Sequence, residues 1–114
     1  MTARRAARGL AGEERAAAWY TAAGYDVLAR NWRCRDGEID LILAVGPVIV
    51  FCEVKSRASD AFGLPAEAVT PAKQARLRRL AAQWLESSGR HPREVRFDVA
   101  AILGDELDVI EDAF

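Results

Sequence analysis

Two carboxylates and an amine, Asp40, Glu53 and Lys55, interrupt an otherwise apolar stretch of the chain, GEIDLILAVGPVIVFCEVKSR from Gly37 to Arg57. Paired carboxylates at one strand end can hold a hard divalent cation, Mg²⁺ or Mn²⁺, through oxygen ligands with water completing the shell. An adjacent ammonium can orient a coordinated water, help deprotonate it, or offset charge developing on a phosphoryl group. The combination suits metal-dependent phosphodiester hydrolysis.

Whether these three groups meet depends on the strands that carry them. Ile, Val, Leu and Phe fill both halves of the stretch, and Gly46-Pro47 cannot continue a central strand, so the sequence predicts a β-hairpin. Antiparallel pairing about that turn sets Val45 against Val48, Leu43 against Val50 and Asp40 against Glu53. With side chains alternating between faces, Asp40, Glu53 and Lys55 share one face, and a slip of one residue would separate them. The opposite face is expected to carry Ile39, Leu41, Leu43, Val45, Val48, Val50, Cys52 and Val54. The site's own face is apolar near the turn, at Ile42, Ala44, Ile49 and Phe51.

The remaining elements flank this hairpin. Leu10 to Ala23 is alanine-rich and proline-free and is followed by Gly24, which predicts a first helix; basic residues 1–8 before it are expected to form a flexible tail. Glu13, Ala17 and Tyr20 fall on one stripe of that helix, with Ala16 beside it. On the helix alone, Glu13 serves either to complement the helix N-terminus or to face the charged end of the hairpin, and the first role is the more common. Tyr25 to Arg33 predicts a strand, and Arg35-Asp36-Gly37 the turn into the hairpin. Residues 58–69, with Gly63 and Pro65, predict a loop bordering the site, in which Phe62 is either a core anchor or a base-stacking ring.

Thr70-Pro71 predicts an N-cap and first position of a second helix that stops at Ser88-Gly89. Its buried stripe is Leu77, Leu80, Ala81, Trp84 and Leu85; Lys73, Arg76 and Arg79 lie on another side, a stripe of one sign that can meet phosphates. Val95 to Leu103 predicts a strand parallel to the one ending at Arg57, because a helical crossover joins them, and Leu107 to Ile110 an acidic edge strand. The whole is an α/β domain of order αβββαββ, a mixed central sheet flanked by helices.

A chain of 114 residues suits one domain. No apolar run approaches the ~20 residues that cross a bilayer, so no membrane partner is expected and the compartment predicted is the cytoplasm. Cys34 and Cys52 make no disulfide framework and are expected as an edge thiol and a small core residue. The net charge of -1 hides an asymmetry: Gly104 to Phe114 holds five acids and no base, which leaves 12 acidic against 16 basic residues elsewhere. A polyanionic partner is therefore not excluded. His91, the only histidine, sits beside Pro92 in a loop and receives no catalytic role.

Asp40, then Glu53-Val54-Lys55 after an apolar run, behind a helix bearing Glu13, resembles the PD-(D/E)xK nuclease superfamily, and Glu-Val-Lys-Ser-Arg is close to the archaeal Holliday-junction resolvases. Over nearly the whole chain the sequence is similar to the uncharacterised bacterial YraN-like family. The match includes Gly12-Glu13, Gly24-Tyr25, Arg30-Asn31, Gly37-Glu38-Ile39-Asp40, Glu53-Val54-Lys55, Phe62-Gly63, Lys73, Arg76-Leu77 and Phe97-Asp98-Val99. The resemblance implies a restriction-endonuclease-like core forming one nuclease-like domain over 1–114. It also implies Asp40 and Glu53 as ligands of Mg²⁺ or Mn²⁺, Lys55 beside the nucleophilic water, and Glu13 as a further acid near the metal. The proline of the superfamily name is Ile39 here, which keeps the ligand.

The expected partner is nucleic acid, DNA before RNA, with Lys73, Arg76, Arg79, Arg57 and Phe62 as contacts; a homodimer is allowed. Two other readings remain open. One is a non-catalytic nucleic-acid-binding module on the same fold. The other is an interaction protein in which Asp40, Glu53 and Lys55 form an ion-paired strand end, although such a pair needs no second acid.

Overall fold

The structure, a computed structural model, describes residues 3–59 and 69–114. The elements are α1 (Ala3–Ala22), β1 (Asp26–Cys34), β2 (Gly37–Val45), β3 (Val48–Arg57), α2 (Pro71–Ser88), β4 (Glu94–Leu103) and β5 (Glu106–Ile110). The five strands form one sheet in the order β1-β2-β3-β4-β5. Every neighbouring pair is antiparallel except β3 and β4, which run parallel on either side of the α2 crossover. This order and mixed sheet fit the restriction-endonuclease-like core that the resemblance implied.

The hairpin register is the one its turn predicts. Val45 pairs with Val48, Leu43 with Val50 and Leu41 with Cys52. Gly46 takes φ 53°, and a positive φ followed by the negative φ of a proline ring suits a two-residue hairpin loop. Helix α2 likewise starts and stops on its local chemistry: the Lys73 backbone N–H donates to Oγ1 of Thr70, Pro71 opens the helix, and left-handed Gly89 closes it by donating to the Leu85 carbonyl.

Helix α1 begins at Ala3 rather than Leu10, so residues 3–8 continue the helix instead of forming the expected tail. An alanine- and arginine-rich stretch without proline offers nothing to stop it.

The helices bury opposite faces of the sheet. Against α1 lie Leu41, Leu43, Val50, Cys52 and Ala100, packed with Ala16, Ala17 and Tyr20. Against α2 lie Ile42, Ile49, Phe51, Phe97 and Val99, packed with Leu77, Leu80, Ala81 and Trp84. Within the β2–β3 hairpin one residue departs from simple alternation. Ile39, expected beside Leu41 on the α1 face, packs in the α2 cluster together with its neighbour in register, Trp32. The cause lies across the strand pair: Asn31, opposite Asp40 in the register, takes a left-handed φ of 50° and turns the chain between the Arg30–Leu41 and Trp32–Ile39 pairs.

A buried polar knot, unmarked in the sequence reading, ties α1 to β4. Asp98 is fully buried and accepts from the Tyr20 hydroxyl at 2.6 Å, from Nε and Nη2 of Arg96 at 2.9 Å each, and from the Asp112 backbone N–H at 3.0 Å. Arg96 also donates to the Tyr25 hydroxyl at 2.8 Å. A charge buried this completely is tolerable only when its lone pairs are taken up, and here four donors do so. An acid between Phe97 and Val99 in an apolar strand was the available signal.

Further up α1 the helix meets the sheet edge-on at Gly12. A Cβ there would lie 2.7 Å from Oγ of Ser56 and 3.1 Å from Cδ1 of Ile102, so the absence of a side chain sets how closely α1 approaches β3 and β4. In an exposed helix, Gly→Ala stabilises by about 1 kcal/mol. Here Gly12→Ala is expected instead to cost about 1–3 kcal/mol through overpacking. Adding Ser56→Ala, which removes the nearer atom, should recover part of that loss. Denaturant unfolding of the single and double variants checks this, and a Gly12→Ala protein more stable than wild type would contradict it.

Candidate active site

The site forms where β2 begins and β3 ends. Past the Leu41–Cys52 pair the ladder gives way, and Oδ2 of Asp40 accepts the Val54 backbone N–H at 2.8 Å. One carboxylate oxygen is thereby fixed and the side chain is held across the hairpin beside Glu53. Nζ of Lys55 lies 3.6 Å from Oε1 of Glu53, both side chains being largely shielded. Asp40, Glu53 and Lys55 line one cleft of about 230 Å³ whose opposite wall is the start of α2, with Lys73, Arg76 and Leu77.

On its other side Asp40 meets α1. Carboxylate oxygens of Glu13, Glu38 and Asp40 all lie within 4.8 Å of one another. Glu38 was not among the sequence-predicted site residues, although it stands two positions before Asp40 on the same strand, where alternation brings side chains to one face. Glu38 also pairs with Nε of Arg33 at 3.3 Å, with the arginine largely in solvent.

The crowding shows in the acidities. Burial, then the charge of Glu53 and a hydrogen bond with it, push the Asp40 carboxyl up to about 7, against the opposing pull of the Val54 N–H and Lys55. Glu13 is also raised, first by burial and further by Asp40 and Glu38, while a hydrogen bond from the Asn31 side chain and the charge of Arg30 act the other way.

The other expected contacts are dispersed. Arg79 is exposed on α2 and does not line the cleft; Arg57 is exposed at the end of β3, where it borders a separate hollow of about 380 Å³ with Gly12, Arg15 and Ser56. Phe62 lies outside the described residues.

A family model described as "Uncharacterised protein family UPF0102" matches residues 12–102, a span containing every acid and base of the cleft. The chain belongs to this family. Among similar UPF0102 proteins, that of Beutenbergia cavernae is 57% identical over 95 residues, covering 83% of this chain and 80% of the relative. That of Rhodococcus jostii is 50% identical over 113 residues, covering 95% and 96%, and that of Moorella thermoacetica is 48% identical over 120 residues, covering both completely. Membership of UPF0102 agrees with the YraN-like resemblance of the sequence. Among the described residues of the UPF0102 chain, no helix is long and apolar enough to cross a membrane.

The acidities of the UPF0102 site carry a pH signature. Folded Asp40 keeps its proton up to about 7, whereas unfolded it loses it near 3.8. The folded state therefore binds the extra proton between those values, and this contribution to stability fades as pH rises through the window. In chelator, Asp40→Asn should gain on wild type by roughly 5–10 °C in unfolding midpoint between about pH 4 and pH 8. Parallel thermal unfolding series of the two proteins check this; midpoints that keep a constant difference would contradict it.

Proposed function

We propose that this UPF0102 protein is a metal-dependent endonuclease that hydrolyses phosphodiester bonds in DNA, with branched or flapped DNA as the favoured form and the cytoplasm as its compartment. The observation that carries the reading is the position of Asp40, with Glu13 and Glu38 on one side and Glu53 and Lys55 on the other, at a cleft walled by Lys73 and Arg76.

The donor set fits a divalent cation of the Mg²⁺ or Mn²⁺ type. All the candidate ligands are hard carboxylate oxygens, and two oxygens at ~2.1 Å from a shared ion can be at most ~4.2 Å apart, close to the spacing of the Glu13, Glu38 and Asp40 oxygens. Asp40 would hold the ion together with Glu13 and Glu38 on the α1 side, with Glu53 beside Lys55 across the cleft. Such an ion supplies positive charge to a phosphoryl oxygen and acidifies water.

The chain's own residues supply the rest. The Val54 N–H keeps Asp40 turned into the site. Lys55, pinned by Glu53, presents its ammonium where it can donate to the phosphoryl group or orient the attacking water. Lys73 and Arg76 on the opposite wall meet the flanking phosphates and position the strand, contributing no sequence preference.

The reading is tested by incubating the protein with duplex, single-stranded, flap and four-way-junction DNA in Mg²⁺ or Mn²⁺. Wild type should cleave at least one substrate, and Asp40→Asn and Lys55→Ala should each lower the rate ~100-fold or more while remaining folded. Binding without cleavage would replace the enzyme by a non-catalytic nucleic-acid-binding module. Cleavage undiminished in Asp40→Asn would remove the site from the reaction.

A further inference from the structure

The connection from α2 to β4 reads Gly89-Arg90-His91-Pro92-Arg93, two arginines and the chain's only histidine in one short run, and none of them lines the cleft. The run is tied down at both ends. Left-handed Gly89 closes α2 on the Leu85 carbonyl, and the Arg90 N–H donates to Oγ of Ser88 at 3.3 Å. At the other end the Arg93 and Glu94 N–H groups both donate to the Pro47 carbonyl, at 3.0 and 3.3 Å. The side chains of Arg90, His91 and Arg93 are exposed on this pinned backbone.

With the hairpin turn at Gly46-Pro47 they border a hollow of about 360 Å³, and among the described residues that line it there is no acid. The charges there are also unspent. Among the described residues neither guanidinium has an ion-pair partner or an aromatic ring against it, whereas Arg33 is held by Glu38, Arg96 by Asp98, and Arg78 by the rings of Phe97 and Phe114. Glu86 and Glu94, the acids nearest in sequence, pair with neither. A cation just past the end of α2 complements the helix C-terminus, a role that asks for one arginine and no hollow.

The hollow and the cleft lie on the same face of the sheet. Ile49, beside the hollow, packs in the α2 cluster, and the cleft is walled by the start of the same helix. From Asp40 to the turn at Gly46 the strand rises ~20 Å, and the 18 residues of α2 span ~27 Å. Arg79, exposed on α2 and outside the cleft, falls between the two along that helix. Duplex DNA carries a phosphate every ~3.4 Å along each strand, so a stiff arm with its cut bond in the cleft brings phosphates ~6–8 base pairs away to the hollow.

We propose that this basic hollow is a second phosphate-backbone contact, which takes a duplex arm of the substrate ~6–8 base pairs from the bond held in the cleft. The assignment rests on the DNA-binding part of the reading above and not on hydrolysis. Arg90 and Arg93 meet backbone phosphates and fix the direction of the arm without reading its sequence. Because their loop is already pinned, little backbone freedom is lost on binding.

The test compares wild type with the double variant Arg90→Gln/Arg93→Gln, binding fluorescent DNA hairpins with stems of ~5 and ~20 base pairs at several salt concentrations, in chelator so that no strand is cut. The expected result is ~10-fold weaker binding of the long stem at low salt, a salt slope shallower by ~2, and less than ~2-fold change on the short stem. The variant should unfold within a few degrees of wild type, since both side chains are in solvent. Arg90→Lys/Arg93→Lys, which keeps the charges, should restore the slope. Wild-type affinity and slope on the long stem overturn the proposal, as does a loss of the same size on both stems. Wild type that cuts nothing in Mg²⁺ or Mn²⁺ yet shows this dependence on stem length refutes the nuclease and supports the hollow, whereas wild type that binds no DNA refutes both.

Discussion

Carboxylates held a few ångströms apart repel one another, and folding a chain that brings Asp40 beside Glu13, Glu38 and Glu53 means accepting that repulsion in a partly buried place. The price appears in Asp40, which is driven to hold a proton up to about 7. The Val54 N–H and Lys55 act the other way. An arrangement that costs stability in the absence of a counter-charge is one that a divalent cation would stabilise directly, since an ion bound only by the folded state adds its binding free energy to folding.

The rest of the fold keeps those acids together despite their repulsion. Glu53 and Asp40 are joined by the hairpin, whose register is held by the Gly46-Pro47 turn and by the apolar pairs behind it. Glu13 arrives on a separate element, and two features fix where that element lies. At one end Gly12 lets the helix approach Ser56 and Ile102; two turns further on, Tyr20 donates to the buried Asp98 of β4. Between these two points the helix has little freedom to slide, so Glu13 is set by contacts at positions that do no chemistry.

Much of this was legible in the sequence because it is local. The hairpin register follows from a two-residue loop and period-two alternation, the ends of α2 from Thr70, Pro71 and Gly89, and the parallel pairing of β3 and β4 from a helical crossover. Local rules failed where distant residues decide. Ile39 changes face because Asn31, on another strand, departs from strand geometry. The Tyr20–Asp98 bond spans 78 positions and leaves no periodic trace. Glu38 joins the acids because α1 brings Glu13 to it, and Arg57 and Arg79 lie apart from the cleft because they are placed by a strand end and a helix turn rather than by charge.

The central claim is that Asp40 stands at the middle of a cation site shared by the hairpin and α1. Its most direct test is a crystal structure of the protein soaked in Mn²⁺, with data collected at the manganese absorption edge. The account predicts an anomalous peak within ~2.0–2.4 Å of Asp40 and of at least one carboxylate among Glu13, Glu38 and Glu53. A peak located elsewhere, or no peak in crystals whose cleft is open to solvent, would contradict it.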